Sequence, residues 1–354
     1  MAIKISFCIP TLNRGAFIGA TLESIISQAT ESVEIVIVDG GSTDNTSEVV
    51  RQHQKSFPRL RYFRADASDV KAITAAPSNA GFDQDCSRAV ELAQGEYCWL
   101  FTDDDLLRPG AISTVLNETP KGYSLIIVNT QVVNRDFSRV LENKRLPIDT
   151  NEIYDESMLE QLFHRVIQHI SFVGCVVISR DLWIQREKTR YFGTGFIHIG
   201  VIFQAPLPAP ALVIAEPYVA IRFGNAQWTT RAFDIWMRRW PNLLGSFTHI
   251  SEQARQDYLK IQSWKKLKNI ITWRAVGVYS LAEYRKYFAS ENSSLWWKSV
   301  VLFVAITPAC LVNLLMLSYF KVIKKDLVSV DDLKNNKNYI MNIVRRKNLQ
   351  QSHK

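Results

Sequence analysis

The chain has 354 residues, 47% of them apolar, and a formal net charge of +8. That length allows one large domain with an appendage or two domains, and the ordinary apolar content excludes a disordered chain. The first nine residues lack a basic stretch followed by a long apolar run, so we expect no secretory signal. The five cysteines show no C-x-x-C spacing. We therefore expect reduced thiols in a cytosolic setting and no zinc site.

Charge is unevenly placed along the chain. Residues 231–354 hold 21 basic and 8 acidic residues, a balance of +13, whereas the first 230 hold 21 and 26, a balance of −5. This shift predicts an acidic domain over residues 1–230 and a basic region over 231–354. Basic regions bind nucleic acid or anionic lipid, and the apolar content of this one decides between them.

Strand and helix patterns alternate through the first half of the chain. The predicted strands are 3–9, 33–38, 60–64, 97–101 and 124–128, and the predicted helices begin near residues 15, 46, 81 and 109. Alternation of this kind predicts an α/β domain with a mostly parallel sheet flanked by helices. In such sheets ligands bind beyond the carboxyl ends of the strands. Thr11, Asp39 and Asp103 each follow a strand, so we expect them at one edge.

Three consecutive carboxylates, Asp103, Asp104 and Asp105, end the strand that contains Trp99. Adjacent anions repel one another, so we expect a cation beside them. Carboxylate oxygens at a strand end suit Mg²⁺ or Mn²⁺ carrying a substrate phosphate. The alternative is a solvated acidic loop before the helix near Pro109. GxGxxG, GxxxxGK[ST], HExxH and GxSxG do not occur, so the common nucleotide, zinc-protease and hydrolase signatures are absent from the sequence.

Three motifs in order, FCIPTLNR, IVIVDGGSTDNT and GEYCWLFTDDD followed by RPG, resemble the signatures of family 2 inverting glycosyltransferases with a GT-A fold. The resemblance covers roughly residues 3–225. FGTGFIHIG and IRFGNAQW are similar to the abequosyltransferase-like branch, which adds sugars to lipid-linked units of bacterial surface polysaccharide such as O-antigen.

The resemblance implies a role for each motif. It implies that a nucleotide-sugar is bound by Pro10, Thr11, Arg14, Asp39, Ser42, Asp44, Asp103 and Arg222. It implies that Mg²⁺ or Mn²⁺ is bound by Asp104 and Asp105. The commoner family pattern is D-x-D-D, and Thr102 stands at its first position here, which leaves open which aspartate takes which role. A metal there would offset the charge of the leaving diphosphate.

An inverting transfer also needs a base, which the family usually supplies as an Asp or Glu, often within a Glu-Asp pair. No such pair follows Asp105, and the matching stretch, Tyr191 to Phe203, contains His198. Base, metal ligand and hydrogen-bonded core histidine all remain open for His198, and we favour the base. Asp181 is the alternative carboxylate.

The sequence near residue 230 favours transfer of a single sugar. Arg222, Asn225, Gln227 and Trp228 follow a predicted strand, and an exposed loop is the alternative to a diphosphate or acceptor contact there. Processive synthases carry Q-x-x-R-W in this region, whereas Trp236 occupies the glutamine position before Arg239 and Trp240.

The basic region contains a run without charges, Ser299 to Phe320, within the apolar segment 295–320. Its length is about that needed to cross a bilayer, but Pro308 and Asn313 argue against a straight helix. We expect two short helices lying in the cytoplasmic leaflet of the bacterial inner membrane, with a spanning helix or buried core helices as alternatives.

These observations predict a metal-dependent glycosyltransferase that acts on a polyprenyl-diphosphate-linked saccharide at that membrane and binds no nucleic acid. Two alternatives stay open: a non-catalytic nucleotide-sugar-binding or scaffold protein, and a nucleotidyltransferase.

Overall fold

The structure is a computed structural model, and it describes residues 2–65, 81–225, 231–261, 266–336 and 338–342. The chain forms two compact units. The first unit contains residues 1–132, 143–222 and 243–256, and the second contains residues 133–142, 223–242 and 257–354. The chain passes between the units several times. The predicted boundary near residue 230 stays a prediction.

Ten strands are described. They are β1 Ile5–Thr11, β2 Val33–Asp39, β3 Leu60–Arg64, β4 Tyr97–Leu100, β5 Leu106–Leu107, β6 Leu125–Val133, β7 Val140–Glu142, β8 Glu152–Tyr154, β9 Val176–Ser179 and β10 Ala211–Arg222.

The α-helices of the described residues follow the same numbering in chain order. They are α1 Gly15–Ile26, α2 Thr46–Ser56, α3 Gly81–Leu92, α4 Ala111–Glu118, α5 Leu159–Val166, α6 Arg180–Gln185, α7 Ile197–Phe203, α8 Ala232–Asp234, α9 Trp240–Gly245, α10 Glu252–Ile261, α11 Leu267–Ala275, α12 Leu281–Tyr287, α13 Leu295–Ile306, α14 Ala309–Ser318 and α15 Leu327–Asn335. A π-helical stretch, Ile235–Arg239, joins α8 to α9, and another, Tyr319–Lys324, follows α14.

The sheet of the first unit has the order β3-β2-β1-β4-β9-β6-β10-β5. The four strands from β3 to β4 are parallel, whereas β9 runs antiparallel to both β4 and β6, and β10 runs antiparallel to β5 and β8. The predicted α/β class is confirmed, and the sheet is mixed. The register pairs Thr11 with Asp39, so both residues lie at the same carboxyl edge, as the sequence predicted.

Alternating aromatic side chains build the core beneath this edge. Phe7 of β1 stacks on Trp99 of β4 at 5.0 Å between ring centroids, and the Phe101 ring meets Phe7 edge-on at 5.6 Å. The indole nitrogen of Trp99 donates to the Gly174 carbonyl at 3.0 Å, so its one polar atom is satisfied inside the core. Every residue of β2 is buried, as its continuous β-branched run predicted. This packing fixes the strand ends that carry the polar loops.

The second unit is mainly helical and has two apolar clusters of its own. One cluster packs Phe233, Tyr279 and Phe288 against the inner face of α13. The other packs α14 against α11 and α15. Within the described residues no single helix is long and apolar enough to cross a bilayer; one helix pair, Leu295–Ile306 with Ala309–Lys324, meets the length and composition criteria together but is bent by 99°.

A glycine is needed at position 200 of α7 because the side chain of Tyr191 packs directly against the helix backbone there. A Cβ at this position would lie 2.3 Å from the Cγ atom of Tyr191, a residue that is 2% exposed. We expect Gly200→Ala to lower the free energy of unfolding by roughly 1–3 kcal/mol, as measured by urea denaturation. Gly245→Ala is the control, since a Cβ there meets nothing within 4 Å. Equal stability of the two variants would contradict the contact.

Candidate active site

The cation that three adjacent carboxylates require is an arginine of the chain itself. Arg14 Nε lies 3.3 Å from Asp103 Oδ1, and its Nη2 donates to Asp104 Oδ2 at 3.0 Å. The side chains of this trio are 11–12% exposed, so the pairing is largely desolvated. Arg14 directly precedes α1 and follows the loop after β1, and that position brings it to the end of β4. This geometry excludes the solvated acidic loop.

Asp105 is tied into the backbone around the cluster. Its Oδ1 accepts from the Arg222 backbone nitrogen at 2.6 Å, and its Oδ2 accepts from the hydroxyl of Thr102. Its carbonyl accepts from the Thr21 hydroxyl at 2.8 Å. Thr102, which stands at the first aspartate position of the family pattern, therefore holds the third carboxylate. The role of Asp105 as a metal ligand stays a prediction.

Two arginines share one aromatic ring beside the cluster. Arg222 Nε donates to the Asp104 carbonyl at 2.8 Å, and its guanidinium carbon lies 5.0 Å from the centre of the Phe17 ring. The guanidinium carbon of Arg14 lies 5.5 Å from the same ring. Cation–π contacts of this kind orient guanidinium groups. Phe17 therefore links residues 14 and 222 around one carboxylate cluster, a role that the sequence did not reveal.

The loops after β1 and β2 are joined by hydrogen bonds into one polar wall. Asp39 Oδ1 accepts from the Ser42 backbone nitrogen at 2.7 Å, and its Oδ2 accepts from the Tyr62 hydroxyl at 2.5 Å. The Ser42 hydroxyl accepts from the backbone nitrogen of Asn13 at 2.8 Å. Asn13 has a φ of 54°, a left-handed conformation that asparagine tolerates better than most residues. Its side-chain oxygen in turn accepts from Thr43 N at 2.8 Å.

Asp44 and the end of β1 complete this wall. Asp44 Oδ2 accepts from the Gly15 backbone nitrogen at 3.0 Å, and its Oδ1 accepts from Thr46 N at 3.0 Å, so one carboxylate serves the amino ends of two helices. Burial has the largest single effect on the Asp44 carboxyl and raises its pKa, but the hydrogen bonds from Thr46 and Gly15 together outweigh it and leave the pKa below its ordinary value. The Thr11 carbonyl accepts from Gly40 N at 3.0 Å, and Pro10 is buried in β1. Six of the eight predicted nucleotide-binding residues thus lie in these two connected loops or the strand ends beside them.

Burial raises the pKa of two carboxyls in the cluster, those of Asp103 and Asp105. Desolvation and the neighbouring Asp104 raise the pKa of Asp103 to about 7, although Arg14 opposes the shift. Desolvation and Asp104 also raise the pKa of Asp105, although Thr102 and Arg222 oppose it. A further positive charge at this edge would favour the ionised forms of both carboxyls. The site therefore suits a cationic ligand, or an anionic ligand that binds together with a cation.

The described residues contain no group of three or more His, Cys, Asp or Glu side chains that could hold a metal ion. Protein-bound Mg²⁺ commonly takes one or two carboxylates and completes its shell with substrate phosphate and water. Asp104 with one neighbouring aspartate fits that smaller donor set. The cation would then compete with Arg14 for the Asp104 carboxylate.

His198 lies in α7 and is 1% exposed. Its Nε2 lies 2.7 Å from the Ile170 carbonyl, which can only accept, so Nε2 carries the proton and Nδ1 the lone pair of the neutral ring. Burial lowers the pKa of His198 to about 4, although the bond to Ile170 opposes the shift. The imidazole is thus neutral at pH 7. Its role as a base stays a prediction, as does that of Asp181, which is exposed in the first turn of α6.

Asp83 is a buried carboxylate that sequence analysis did not single out. It lies in the first turn of α3, and its two oxygens accept from the backbone nitrogens of Gly195, at 2.8 Å, and Ile197, at 3.1 Å. It therefore fixes the turn that leads into α7 and His198. An aspartate in a first helical turn is a common helix-capping signal, so only the tertiary structure distinguishes this role. Gln227 and Trp228, also considered from sequence, lie outside the described residues.

The family model described as "Glycosyl transferase family 2" matches residues 6–184, half of the chain. The chain belongs to glycosyl transferase family 2. This match covers the loops after β1 and β2, the carboxylate cluster and Asp83. The predicted family and the predicted enzyme class are confirmed.

Two curated relatives show how far the similarity extends. The chain is 30% identical to the GalNAc(5)-diNAcBac-PP-undecaprenol beta-1,3-glucosyltransferase of Campylobacter jejuni over 148 residues. These residues make up 42% of this chain and 45% of that protein. Over 233 residues it is 23% identical to abequosyltransferase RfbV of Salmonella typhimurium, 62% of this chain and 67% of that protein. The chain spans less than half the length of the first of these relatives.

Solved structures support the fold. The S. aureus TarS 1–349 structure, which contains UDP, aligns with a TM-score of 0.56 at 13% identity, covering 98% of this chain and 92% of that one. At this identity the likeness shows the fold alone, and it confirms the predicted GT-A architecture.

Removing Arg14 tests its role as the internal counter-cation. We expect Arg14→Ala to lower the free energy of unfolding by about 3 kcal/mol, because it removes the cation that contacts two buried carboxylates. Urea denaturation measures the loss. Arg14→Ala combined with Asp103→Asn should recover part of it, since one buried charge is then removed. Lys4→Ala is the control, because the Lys4–Glu96 pair is 42% and 53% exposed. A loss no larger than that of Lys4→Ala would contradict the assignment.

The neutral state of His198 makes stability depend on pH. Its folded pKa of about 4 lies below the unfolded value of about 6.5, so the unfolded chain binds the extra proton between these values. The stability that this pKa difference contributes is fully present above the unfolded pKa, and it is lost as the pH falls through the folded pKa. We expect His198→Asn to reduce the slope of unfolding free energy against pH by about 1.4 kcal/mol per unit near pH 5. Buried His169, whose pKa burial lowers to about 3, keeps its own contribution in this variant.

Proposed function

We propose that this enzyme transfers one sugar, with inversion, from a nucleoside-diphosphate sugar to a polyprenyl-diphosphate-linked saccharide. The reaction would serve the assembly of bacterial surface polysaccharide, such as O-antigen, at the cytoplasmic face of the inner membrane. The names of the Campylobacter and Salmonella relatives support an acceptor and product of this kind. The substitution of Trp236 at the glutamine position of Q-x-x-R-W favours single transfer over processive synthesis.

The observation that carries the proposal is the carboxylate cluster between two arginines at the carboxyl end of β4. Asp103 and Asp104 contact Arg14, while the Arg222 side chain donates to the Asp104 carbonyl and its backbone nitrogen donates to the Asp105 carboxylate. The two guanidinium groups are forked donors that suit phosphate oxygens. Anionic and cationic groups side by side can hold both a divalent cation and a diphosphate. The wall built by Asp39, Ser42 and Asp44 would border the nucleoside, with Pro10 and Thr11 beneath it.

Mg²⁺ or Mn²⁺ would be held by Asp104, with Asp105 as the second predicted ligand. When bound, the cation would supply charge neutralisation for the leaving diphosphate. The chain's own contribution is to orient the donor and to hold positive charge near the phosphates through Arg14 and Arg222. Arg14 would then exchange its contact with Asp104 for one with the donor. The backbone contacts of Arg222 keep the loop after β4 in place during this exchange.

In an inverting transfer, the acceptor hydroxyl attacks the anomeric carbon from the face opposite the nucleotide. The bond from that carbon to the diphosphate oxygen breaks, and its electron pair stays on the diphosphate. A base takes the hydroxyl proton, and we propose Nδ1 of His198 for this step because Nε2 already holds a proton. Its low pKa makes it a weak base in the buried state, so acceptor binding would have to bring Nδ1 to the hydroxyl.

Asp104→Asn tests the donor site with almost no change of shape. We expect the wild-type protein to be stabilised against heat by one nucleoside diphosphate from a panel of UDP, dTDP, CDP and GDP, with more stabilisation when Mn²⁺ is present. Asp104→Asn should lose the Mn²⁺-dependent part and stay folded. Asp136→Asn, a change at the surface, is the matched control. Undiminished Mn²⁺-dependent stabilisation of the Asp104 variant would contradict the assignment of Asp104 as a metal ligand.

His198→Ala separates the three roles considered for this side chain. A base predicts turnover lowered by roughly 10²–10⁴ with donor affinity nearly unchanged. A metal ligand predicts that donor affinity and metal dependence fall together. A core histidine predicts a lower melting temperature with normal turnover per folded molecule. Donor affinity, melting temperature and turnover measured on the same variant distinguish these results, and full turnover would direct attention to Asp181→Ala.

A further inference from the structure

The outer faces of α13 and α14 are apolar where a soluble helix would carry charge. Six large apolar side chains on this bent helix pair and the π-helical turn after it are between 55% and 69% exposed: Phe303, Ile306, Leu311, Leu315, Val322 and Ile323. No charged residue occurs from Ser299 to Phe320. Helices at the surface of a soluble domain normally present polar residues outward. Exposed apolar patches of this kind mark interaction surfaces.

The opposite faces of the same helices already pack inside the second unit. Val301, Val304 and Ala305 of α13 and Val312 and Met316 of α14 are 9% exposed or less. Asn313, which argued against a straight spanning helix in the sequence, is 1% exposed and turned inward. Its side-chain nitrogen donates to the carbonyls of Ala275, at 3.3 Å, and Leu333, at 3.1 Å. The exposed face is therefore left apolar, because the one polar side chain in the middle of α14 serves the core.

The bend between the two helices is built into the fold. Thr307 and Pro308 separate α13 from α14, and a proline at this point cannot continue the helix. Arg274 Nε donates to the Thr307 carbonyl at 2.8 Å, and its Nη1 donates to the Tyr279 carbonyl at 3.1 Å. Arg274 thus satisfies a carbonyl that the end of α13 leaves without a helical partner. The 99° angle is held by specific contacts.

We propose that this apolar face inserts into one leaflet of a bilayer that contains anionic phospholipid. Twelve residues of α13 extend about 18 Å, too short for a hydrocarbon core of about 30 Å, and the bend stops the pair from acting as one rod. Helices that lie in the interface bury their apolar face to a depth of about 5–10 Å. Anchoring in one leaflet explains both the exposed side chains and the fixed angle.

Charge at the edge of the patch selects a lipid surface over a second copy of the chain. Lys321, Lys324 and Lys325 are exposed directly after α14, while the nearby Asp326 carboxylate is engaged by the backbone and hydroxyl of Ser329. Three lysines beside an apolar patch complement anionic headgroups. In a symmetric dimer the same lysines would approach their own copies and repel. The surface requires neither a donor nor an acceptor, so the proposal goes beyond the sugar transfer proposed above and is independent of it.

Flotation of the full-length protein with vesicles tests this surface directly. Vesicles of phosphatidylcholine alone and of phosphatidylcholine with phosphatidylglycerol are used without nucleotide or saccharide. We expect the wild-type protein to float with the anionic vesicles and to stay bound at high salt. Phe303→Glu and Leu315→Glu, tested separately, should each lower binding at least tenfold, because a carboxylate would enter the hydrocarbon boundary. Ile153→Glu is the matched control, since Ile153 is 58% exposed on β8 of the other unit.

Replacement of Lys321, Lys324 and Lys325 by Gln should weaken binding to the anionic vesicles about fivefold per lysine, with little effect on neutral ones. Circular dichroism and melting curves confirm that each variant is folded, and the two glutamate variants provide independent readings. Undiminished flotation of both glutamate variants would overturn the proposal. Release of the wild-type protein by salt alone would also overturn it, because insertion would then be absent. Concentration-dependent dimers that Leu315→Glu abolishes, without flotation, would assign the face to a second copy and equally overturn it.

Discussion

Three buried carboxylates in a row need compensating contacts, and this requirement determines how the loops of the first unit come together. Arg14 meets it for Asp103 and Asp104, while Thr102 and the Arg222 backbone hold Asp105. Each partner comes from a different part of the chain, so the loop after β1, the end of β4 and the end of β10 must come together for the fold to be stable. The folding constraint and the candidate donor site are therefore the same set of contacts.

Under the proposed function, the same contacts would couple the cation to the nucleotide. Arg14 already contacts Asp103 and Asp104, so a divalent ion would have to replace a contact that stabilises the chain by itself. A bound diphosphate would offer the displaced guanidinium a new partner and lower the cost of this exchange. The proposal therefore favours binding of metal and nucleotide together over binding of metal alone. The wall around Asp39 and Asp44 needs no such exchange, because backbone amides already hold those carboxylates in place.

Much of the fold could be predicted from the sequence because the periodic patterns of apolar residues correspond to strands and helices in the structure. The β-branched run of β2 is wholly buried, and Thr11 and Asp39 share one sheet edge as predicted. Long-range pairings were less accessible: nothing local connects Arg14 with residue 104, or Asp83 with the turn before α7, since each pair is about 90 or more residues apart. Sequence analysis placed Arg14 among the residues that bind the nucleotide-sugar, and only the structure shows that it also contacts Asp103 and Asp104. His198 was singled out by its position in the chain, and a core histidine was one of the three readings left open; the structure shows that the side chain is 1% exposed.

The most direct test of the donor-site assignment is a crystal structure of the protein with Mn²⁺ and the nucleoside diphosphate that stabilises it, with manganese located by anomalous scattering. The account predicts a manganese peak in contact with an Asp104 carboxylate oxygen and with diphosphate oxygens. It also predicts that the Arg14 guanidinium has moved from Asp104 to the phosphates. A nucleotide bound elsewhere, or a diphosphate at this edge with the Arg14–Asp104 contact intact and manganese absent, would contradict it.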